Sequence, residues 1–294
     1  MKNIIIIGAG PAGLMAAITA ADRYGKNADI VLLEKNERAG RKLMITGKGR
    51  CNVTNNCDLD TLIANTPKNA RFLYSAFSKF TPQDVMSFFE QNGVPLKTER
   101  GNRVFPVSDK AVDIVDALVN AAKKRGIKLI NHSAKDITVT ENRVTGVILD
   151  DGSTLSAEGV ILATGGMSYP VTGSTGDGHR FARQLGHNVT ELLPALVPLT
   201  VREDWVPILQ GLSLRNVTAG FYDGRKKLCE DFGEMLFTHF GVSGPLILSA
   251  SGMIKAKQFE NELKLYIDLK PALSEEQLDK RLLRDFEEQK NKQF

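Results

Sequence analysis

The sequence predicts an α/β fold in which the N-terminal part of the chain contains a parallel sheet and a smaller region of mostly β character follows it along the chain. The run Ile4–Ile7 is β-branched throughout, as is typical of a strand buried on both faces of a parallel sheet. A glycine-rich turn and an alanine-rich helix over about 11–24 come next, and the apolar run Ile30–Leu33 completes a strand–helix–strand unit. From Thr200 to Leu269 the pattern changes to short strands separated by glycine turns, such as Asp223-Gly224.

The turn after the first strand carries the pattern G-x-G-x-x-G at Gly8, Gly10 and Gly13. The first glycine permits the tight turn, the second lets the backbone approach a pyrophosphate, and the third lets the helix pack closely on the strand. Pro11 and Ala12 begin the helix, whose free N–H groups and positive dipole end attract phosphates. The strand, the helix and the acidic residue Glu34 after the next strand all lie where the motif requires them, which disfavours the alternative of an ordinary glycine turn. The sequence therefore predicts a Rossmann-type dinucleotide site.

The acidic residue is Glu34, at the carboxyl end of the second strand and about 20 residues past the glycines, with Lys35 beside it. A carboxylate at this position accepts hydrogen bonds from an adenosine ribose. The same charge would repel a 2′-phosphate, so we expect a dinucleotide other than NADP.

Composition places the chain among globular proteins. It has 294 residues, 42% of them hydrophobic and 24% charged, and a net charge of +4. So small an excess of positive charge does not argue for nucleic acid, and we expect a small-molecule substrate instead. The stretch 4–21 is uncharged but is broken by glycines and a proline, so we expect neither a targeting signal nor a membrane segment.

The three cysteines, Cys51, Cys57 and Cys229, have no metal-ligand spacing, and neither do the four histidines. We therefore expect no metal site, and a reducing cytoplasmic setting. Cys51 follows Arg50, which favours a reactive thiolate, but its spacing to Cys57 is neither the C-x-x-C nor the C-x-x-x-x-C of a redox-active cysteine pair. No catalytic residue stands out, and the oligomeric state stays open.

Between the second strand and residue 194 the pattern predicts a functional loop and then helices and strands. The loop is polar, runs over 36–56 and is rich in glycine and basic residues. Helices are expected over 67–80, over 82–92 after a capping box at Thr81 and Asp84, and up to Arg125 from a cap at Ser108. Strands are expected over 127–130, in a meander over 135–156, and over 159–166 as a buried strand that ends in small residues.

Pro194–Pro198 is a turn-rich join, so we expect domains over 1–194 and 195–294. The second domain is expected to end in a helix capped by Ser274 and Gln277.

The motif alone does not separate FAD from NAD. A basic glycine loop follows Glu34, a meander interrupts the parallel sheet, and a later strand ends in Ala163-Thr164-Gly165. This order resembles the FAD-binding Rossmann domain of glutathione-reductase-like flavoproteins, with the β-rich second domain as an insertion. The chain from Met1 to about Leu269 also resembles the bacterial family called NAD(FAD)-utilising dehydrogenases, some described as aminoacetone-oxidase-like and others as bile-acid-reductase-like. The resemblance is carried by Gly40–Leu43, Gly47–Asn55, Val104–Pro106, Gly165–Pro170, Gly173–Gly178 and Pro194–Leu199.

The resemblance implies roles for a set of cofactor-binding residues. The glycine turn holds the pyrophosphate, Glu34 holds the ribose, and Arg41 and Lys42 lie near the ribose or phosphates, unless these two are simply solvated. The loop along the ribityl chain and the flavin ring includes Arg50, Cys51, Asn52 and Thr54. The segment that packs against the dinucleotide is Ala163, Thr164 and Gly165.

The resemblance thus implies an FAD-dependent oxidoreductase that exchanges hydride with a small organic substrate lodged between the two domains, with NAD(P)H as a candidate electron donor. Family members return to the FAD domain through a final strand and a glycine-rich helix entry, and no such stretch follows Ser274. The alternative expectation is therefore a truncated, catalytically inactive flavoprotein fragment with weak or no FAD binding. A flavoprotein acting on RNA is a third interpretation, favoured only by the mild positive charge.

Overall fold

The computed structural model of the chain describes residues 1–290. The chain divides into two compact units. Unit 1 comprises Met1–Thr66 and Ala70–Thr190, and unit 2 comprises Pro67–Asn69 and the chain from Glu191 onward.

The strands of the described residues are β1 (Lys2–Ile7), β2 (Ala28–Leu33), β3 (Thr54–Asn55), β4 (Leu96–Glu99), β5 (Arg103–Pro106), β6 (Lys128–Ile130), β7 (Ala134–Thr140), β8 (Arg143–Leu149), β9 (Thr154–Ser156), β10 (Gly159–Leu162), β11 (Leu199–Thr200), β12 (Ser213–Asp223), β13 (Lys226–Thr238), β14 (Gly241–Ser243) and β15 (Leu263–Asp268). The helices are α1 (Pro11–Tyr24), α2 (Arg41–Ile45), α3 (Leu59–Ala64), α4 (Ala70–Lys79), α5 (Pro82–Gln91), α6 (Ala111–Lys124), α7 (Asp177–Gln184), α8 (Pro245–Met253) and α9 (Glu275–Gln289). None of these helices has the length and apolar composition needed to cross a bilayer.

Unit 1 is built on the predicted parallel sheet, with strand order β10-β1-β2-β6. Alternate residues of β1 enter different cores, because successive side chains of a strand point to opposite faces. Ile6 packs with α1 and α6 on one face, whereas Ile5 and Ile7 pack with Phe181 and the β7–β9 meander on the other. Burial on both faces explains why the strand reads as an unbroken β-branched run.

β10 departs from the prediction of a buried strand. Among the described residues it pairs only with β1 and forms one edge of the sheet. Its last two residues, Ile161 and Leu162, are 38% and 37% exposed. An apolar run of four residues does not reveal whether a strand lies at the centre or the edge of a sheet.

Two helix predictions are confirmed, whereas the loop predicted over 36–56 and the cap predicted at Ser108 are not. Helix α1 and the Thr81–Asp84 capping box of α5 are present as expected. The loop over 36–56, in contrast, contains α2, a 3₁₀ turn over Thr46–Gly49 and β3. Helix α6 begins only at Ala111, because the Ser108 hydroxyl hydrogen-bonds the Asp113 carboxylate instead of capping the helix.

Unit 2 contains a five-stranded sheet of order β11-β14-β13-β12-β15. The Asp223-Gly224 turn joins the long antiparallel pair β12 and β13, as predicted. Helix α8, which the sequence analysis did not predict, supplies Leu246, Ile247 and Ala250 to the core of this unit. Helix α9 has the expected capping box of Ser274 and Gln277.

Candidate dinucleotide site

The three motif glycines of unit 1 have three different surroundings. Gly8 has φ +107°, and a Cβ atom there would lie 2.5 Å from the carbonyl oxygen of Ala163. A Cβ atom on Gly13 would lie 1.8 Å from the carbonyl oxygen of Gly8, so α1 can approach β1 only without a side chain at this position. A Cβ atom on Gly10 would meet nothing within 4 Å. Two of the glycines are therefore required by packing, and the third borders open space.

That open space is a cavity of about 680 Å³ at the carboxyl ends of β1, β2 and β10. Its volume is typical of a ligand pocket, and its place at the strand ends is where open parallel sheets bind nucleotides. The predicted site residues that line it are Gly8, Gly10, Pro11, Ala12, Glu34, Lys35, Arg41, Lys42, Ala163, Thr164 and Gly165.

The N-terminus of α1 borders the cavity. Gly10 is the N-cap residue and offers no side chain to the first turn, and Pro11 occupies the first helical position. The first N–H groups of a helix have no partner within the helix, and together with the helix dipole they favour a bound anion.

Glu34 is nearly buried, at 9% exposure, and its carboxylate is heavily used within the protein. Oε2 accepts a hydrogen bond from the backbone N–H of Ala9 at 3.0 Å. Oε1 accepts from the backbone N–H of Asn36 at 2.9 Å and from its side-chain amide at 2.6 Å. A carboxylate offers about four acceptor positions, so these three bonds leave room for one further donor. Glu34 thus ties the glycine turn to the end of β2.

The three predicted cationic residues that line the cavity differ in their hydrogen-bond and ion-pair partners. The Lys35 ammonium lies 2.7 Å from the Asp177 carboxylate and 2.6 Å from the Thr175 hydroxyl. Lys42 donates to the hydroxyl of Ser174 at 2.7 Å, and Arg41 donates to the side-chain oxygen of Asn36 at 3.0 Å. Within residues 1–290 neither Arg41 nor Lys42 forms an ion pair, so their charges are not neutralised by a carboxylate.

The pKa of Asp177 reflects its ion pair. Burial alone raises the pKa of this carboxyl, but hydrogen bonds from Lys35 and Thr175 outweigh burial and bring it below its ordinary value. Asp177 is therefore charged at neutral pH, and it gives Lys35 an ion-pair partner of the kind that Arg41 and Lys42 lack.

The segment 172–177 borders the cavity, and its sequence places Thr172 and Ser174 at the mouth of the pocket as candidates for contact with substrate. Asn36 and Lys42 both reach it, through the carbonyl of Thr172 at 3.4 Å and the hydroxyl of Ser174 at 2.7 Å. Gly173 is required there, because its Cβ would lie 2.6 Å from the side-chain nitrogen of Asn36. Sequence reasoning gave no role to Asn36, although it follows Glu34 by two residues.

The Ala163–Gly165 segment also lines the cavity and adjoins segment 172–177, since a Cβ atom on Gly165 would lie 2.8 Å from the Ser174 hydroxyl oxygen. The N–H of Ala163 continues the β1–β10 ladder by bonding the carbonyl of Ile7 at 2.9 Å. The Thr164 hydroxyl accepts a hydrogen bond from the N–H of Gly178 at 3.0 Å, in the first turn of α7. Small residues here let β10, α1 and α7 meet at the cavity.

The loop predicted to follow the flavin does not line this cavity. Its members Arg50, Cys51, Asn52 and Thr54 are absent from the lining. The Arg50 guanidinium pairs with the carboxylates of Glu99 and Asp109 and lies 4.1 Å from the centre of the Phe105 ring. Asn52 is exposed, and Thr54 of β3 pairs with Val104 of β5.

Cys51 is 1% exposed and belongs to the main core of unit 1. Burial raises the pKa of its thiol, against a smaller opposing effect of a hydrogen bond with Thr46. A buried, protonated thiol is a poor nucleophile, which argues against the alternative of a redox-active Cys51.

His132 also lines the cavity. Its Nδ1 lies 2.7 Å from Oδ1 of Asp150, and Asp151 is close by. The hydrogen bond with Asp150 raises the pKa of the imidazole. The His132 side chain is half-buried and the two carboxylates are exposed. Sequence reasoning missed this group because His132 and Asp150 are 18 residues apart.

Residues 2–264 match the sequence profile of the HI0933-like protein Rossmann domain. A 3-dehydro-bile acid delta(4,6)-reductase from Clostridium scindens is 33% identical over 284 residues, which cover 95% of this chain and 67% of that protein. A ribosomal RNA dihydrouridine synthase from Escherichia coli is 32% identical over 280 residues, covering 93% of this chain and 66% of that protein. The chain thus spans about two thirds of the length of these relatives.

Among solved structures, L-proline dehydrogenase from P. horikoshii aligns with a TM-score of 0.38 at 15% identity, over 76% of this chain and 60% of that one. A similarity of this size supports no conclusion about function. The profile match, in contrast, covers the glycine turn, Glu34 and every residue that lines the cavity. The chain therefore belongs to the HI0933-like family of FAD-binding Rossmann proteins.

Proposed function

We propose that this chain is the cofactor-binding part of an FAD-dependent oxidoreductase that exchanges hydride between flavin and an organic substrate. One observation carries the proposal: a helix N-terminus, an open glycine and two cations without ion pairs share one cavity. That combination suits a pyrophosphate, because backbone N–H groups and unneutralised cations both favour a doubly charged anion. Unit 1 would hold the cofactor, and unit 2 would supply the substrate domain.

The proposed roles follow from these surroundings. Gly10, Pro11 and Ala12 would present the helix N-terminus to the pyrophosphate, and Arg41 and Lys42 would neutralise it. Gly13 would contribute by letting this helix pack closely on the strand. The free acceptor position of Glu34 would take a ribose hydroxyl, while Lys35, held by Asp177, would stand at the edge of the site. FAD, when bound, supplies the hydride chemistry, so the chain's own residues need only bind, orient and shield it.

The assignment of Arg50, Cys51, Asn52 and Thr54 to the flavin end is supported by the family resemblance alone. Arg50 would serve there by holding its loop in place through Glu99 and Asp109. Ala163, Thr164 and Gly165, which line the cavity, would pack against the dinucleotide.

The names of the two relatives suggest the class of substrate. A delta(4,6)-reductase and a dihydrouridine synthase both add hydrogen across a carbon–carbon double bond. We therefore propose an activated double bond as the group reduced, with NAD(P)H as the electron donor. The three cysteines, which form no disulfide, support a reducing cytoplasmic setting.

The experiment is an FAD titration followed by visible absorption, with wild-type protein, Arg41→Ala, Lys42→Ala and the control Lys48→Ala. Lys48 belongs to the same basic loop but does not line the cavity. Loss of a charge-assisted bond to phosphate should weaken FAD binding by roughly 10- to 150-fold in the first two variants and leave the control unchanged. If wild-type protein takes up no FAD, the proposal fails for this chain and the inactive-fragment interpretation replaces it.

A second candidate function is reduction of a base in RNA. The name of the Escherichia coli relative favours it, and the net charge of +4 is compatible with it. RNA binding would weaken steeply with salt, because each neutralised phosphate releases counterions. A filter-binding series at rising salt decides the question: no retention of ribosomal RNA even at low salt removes this candidate and leaves a small-molecule substrate.

A further inference from the structure

A second cavity, of about 640 Å³, lies entirely within unit 2 and has no place in the dinucleotide site. We call it the sheet cavity. Its floor includes the buried residues Val206, Phe221, Phe237 and Val242. The volume is again typical of a pocket for a small molecule, so this unit offers a ligand site independent of the proposed cofactor.

The apolar floor follows from strand register. Phe221 of β12 faces the core of unit 2, and its partner across the ladder is Leu265 of β15. Ile267, two residues further along β15, therefore lies on the same face. Both β15 residues are only partly buried and line the cavity, so apolar side chains of this face remain available to a ligand.

An aromatic wall stands beside this floor. Trp205 is the single tryptophan of the chain and is 52% exposed. Its ring centre lies 6.2 Å from that of Phe237, with an interplanar angle of 59°. Aromatic side chains bring large apolar area at low entropic cost, and a half-exposed indole can cover the face of a flat ring.

The charged residues that line the sheet cavity determine which ligand charge the cavity favours. Carboxylates outnumber cations, with Glu203, Glu260 and Glu262 against Arg202 and Lys264. One cation is already engaged, since Arg202 Nη1 lies 2.8 Å from Glu262 Oε2. An anionic ligand would therefore be repelled by the excess of carboxylates, whereas the binding of an uncharged ligand would not be weakened by this repulsion.

We infer that unit 2 carries its own binding site for an uncharged, mainly apolar ring compound, held between the aromatic wall and the sheet. The site requires neither FAD nor the roles proposed for unit 1. Its occupancy can therefore be measured whether or not the flavin proposal holds.

The test uses the uncharged dye N-phenylnaphthylamine and its anionic counterpart, anilinonaphthalene sulfonate, with FAD-free protein. Because Trp205 is the single tryptophan, energy transfer from excited tryptophan to the dye reports binding near this wall. We expect saturable transfer to the uncharged dye, and binding at least about tenfold tighter than that of the sulfonate because of the excess of carboxylates.

Three variants localise the signal. Thr200→Tyr adds bulk at an exposed lining position and should weaken dye binding about tenfold or more, as overpacking does. Glu260→Lys, also at an exposed lining position, should bring the affinity for the sulfonate close to that for the uncharged dye. The control Phe232→Leu alters an exposed residue outside the lining and should change neither affinity.

The inference is overturned if no energy transfer develops up to the solubility limit of the dye. It is equally overturned if the sulfonate binds as tightly as the uncharged dye, or if Thr200→Tyr, with a wild-type circular dichroism spectrum, binds as wild type does. Should Thr200→Tyr not fold, the Glu260→Lys comparison decides alone.

Discussion

Glu34 offers a prediction that separates its structural role from its proposed role toward ribose. The change is Glu34→Gln, tested in protein without FAD. Glutamine keeps one oxygen, so it can serve either the N–H of Ala9 or the donors of Asn36, and its amide group would turn N–H toward the other. At 9% exposure, little water can replace the missing acceptor.

The magnitude follows from the bonds lost. A hydrogen bond to a charged group contributes about 1.5–3 kcal/mol, and at least one such bond disappears. Opening of the glycine turn should then become roughly 10- to 150-fold more frequent. This opening exposes the N–H of Ala9, whose exchange with solvent deuterium should accelerate by the same factor.

The assay is hydrogen exchange with mass spectrometry on peptides that contain Ala9 or Asn36, compared with wild type and with Glu37→Gln. Glu37 is an exposed glutamate of the same segment, so its substitution removes an equal charge without touching the turn. Unchanged exchange in Glu34→Gln would refute the reasoning, and equal acceleration in Glu37→Gln would assign the effect to net charge.

Four further predictions address other parts of the molecule. Gly10→Ala should fold as wild type, because its φ of −76° suits alanine and the methyl group meets no atom, yet it should weaken FAD binding by roughly 5- to 150-fold as the methyl group enters the cavity. Gly13→Ala should lower the melting temperature with or without FAD, since the methyl group has no room. By NMR titration, the pKa of His132 should lie above its ordinary value of about 6.5 and fall in Asp150→Asn. Because folding raises the pKa of His132, protonation of His132 stabilises the folded state. This stabilisation is fully present below the ordinary pKa of histidine and is lost as pH rises through the raised pKa. Thr81→Ala should cost about 1 kcal/mol in a urea titration, the usual effect of removing an N-cap, and a cost near zero would contradict the capping assignment.

The sequence predicted those parts of the fold that neighbouring residues define. Helix α1 lies between a β-branched strand and a change of period, and the capping boxes at Thr81 and Ser274 span only three residues each. Short elements escaped prediction because their stability is tertiary. The five-residue helix α2 depends on the left-handed Gly40, whose Cβ would lie 2.9 Å from the side chain of Val115.

In the candidate site too, residues with a fixed local spacing were predicted, whereas contacts between distant residues were not. The glycine turn and Glu34 could be recognised because their spacing is fixed by one strand–helix–strand unit. The bonds that shape the cavity join residues far apart in sequence, as Lys42 joins Ser174 and Lys35 joins Asp177. No local pattern encodes such pairs, and for the same reason the ties of Arg50 to Glu99 and Asp109 were not foreseen.

The unequal surroundings of the three glycines bear on how such motifs change in evolution. Gly8 and Gly13 are held in place by the packing of the chain upon itself, so a descendant that no longer binds a nucleotide would still be selected to keep them. Gly10 is under no such constraint within the protein and would be the first of the three to drift. Among relatives of this chain, the residue at that one position should therefore distinguish lineages that still bind a dinucleotide from lineages that retain only the fold.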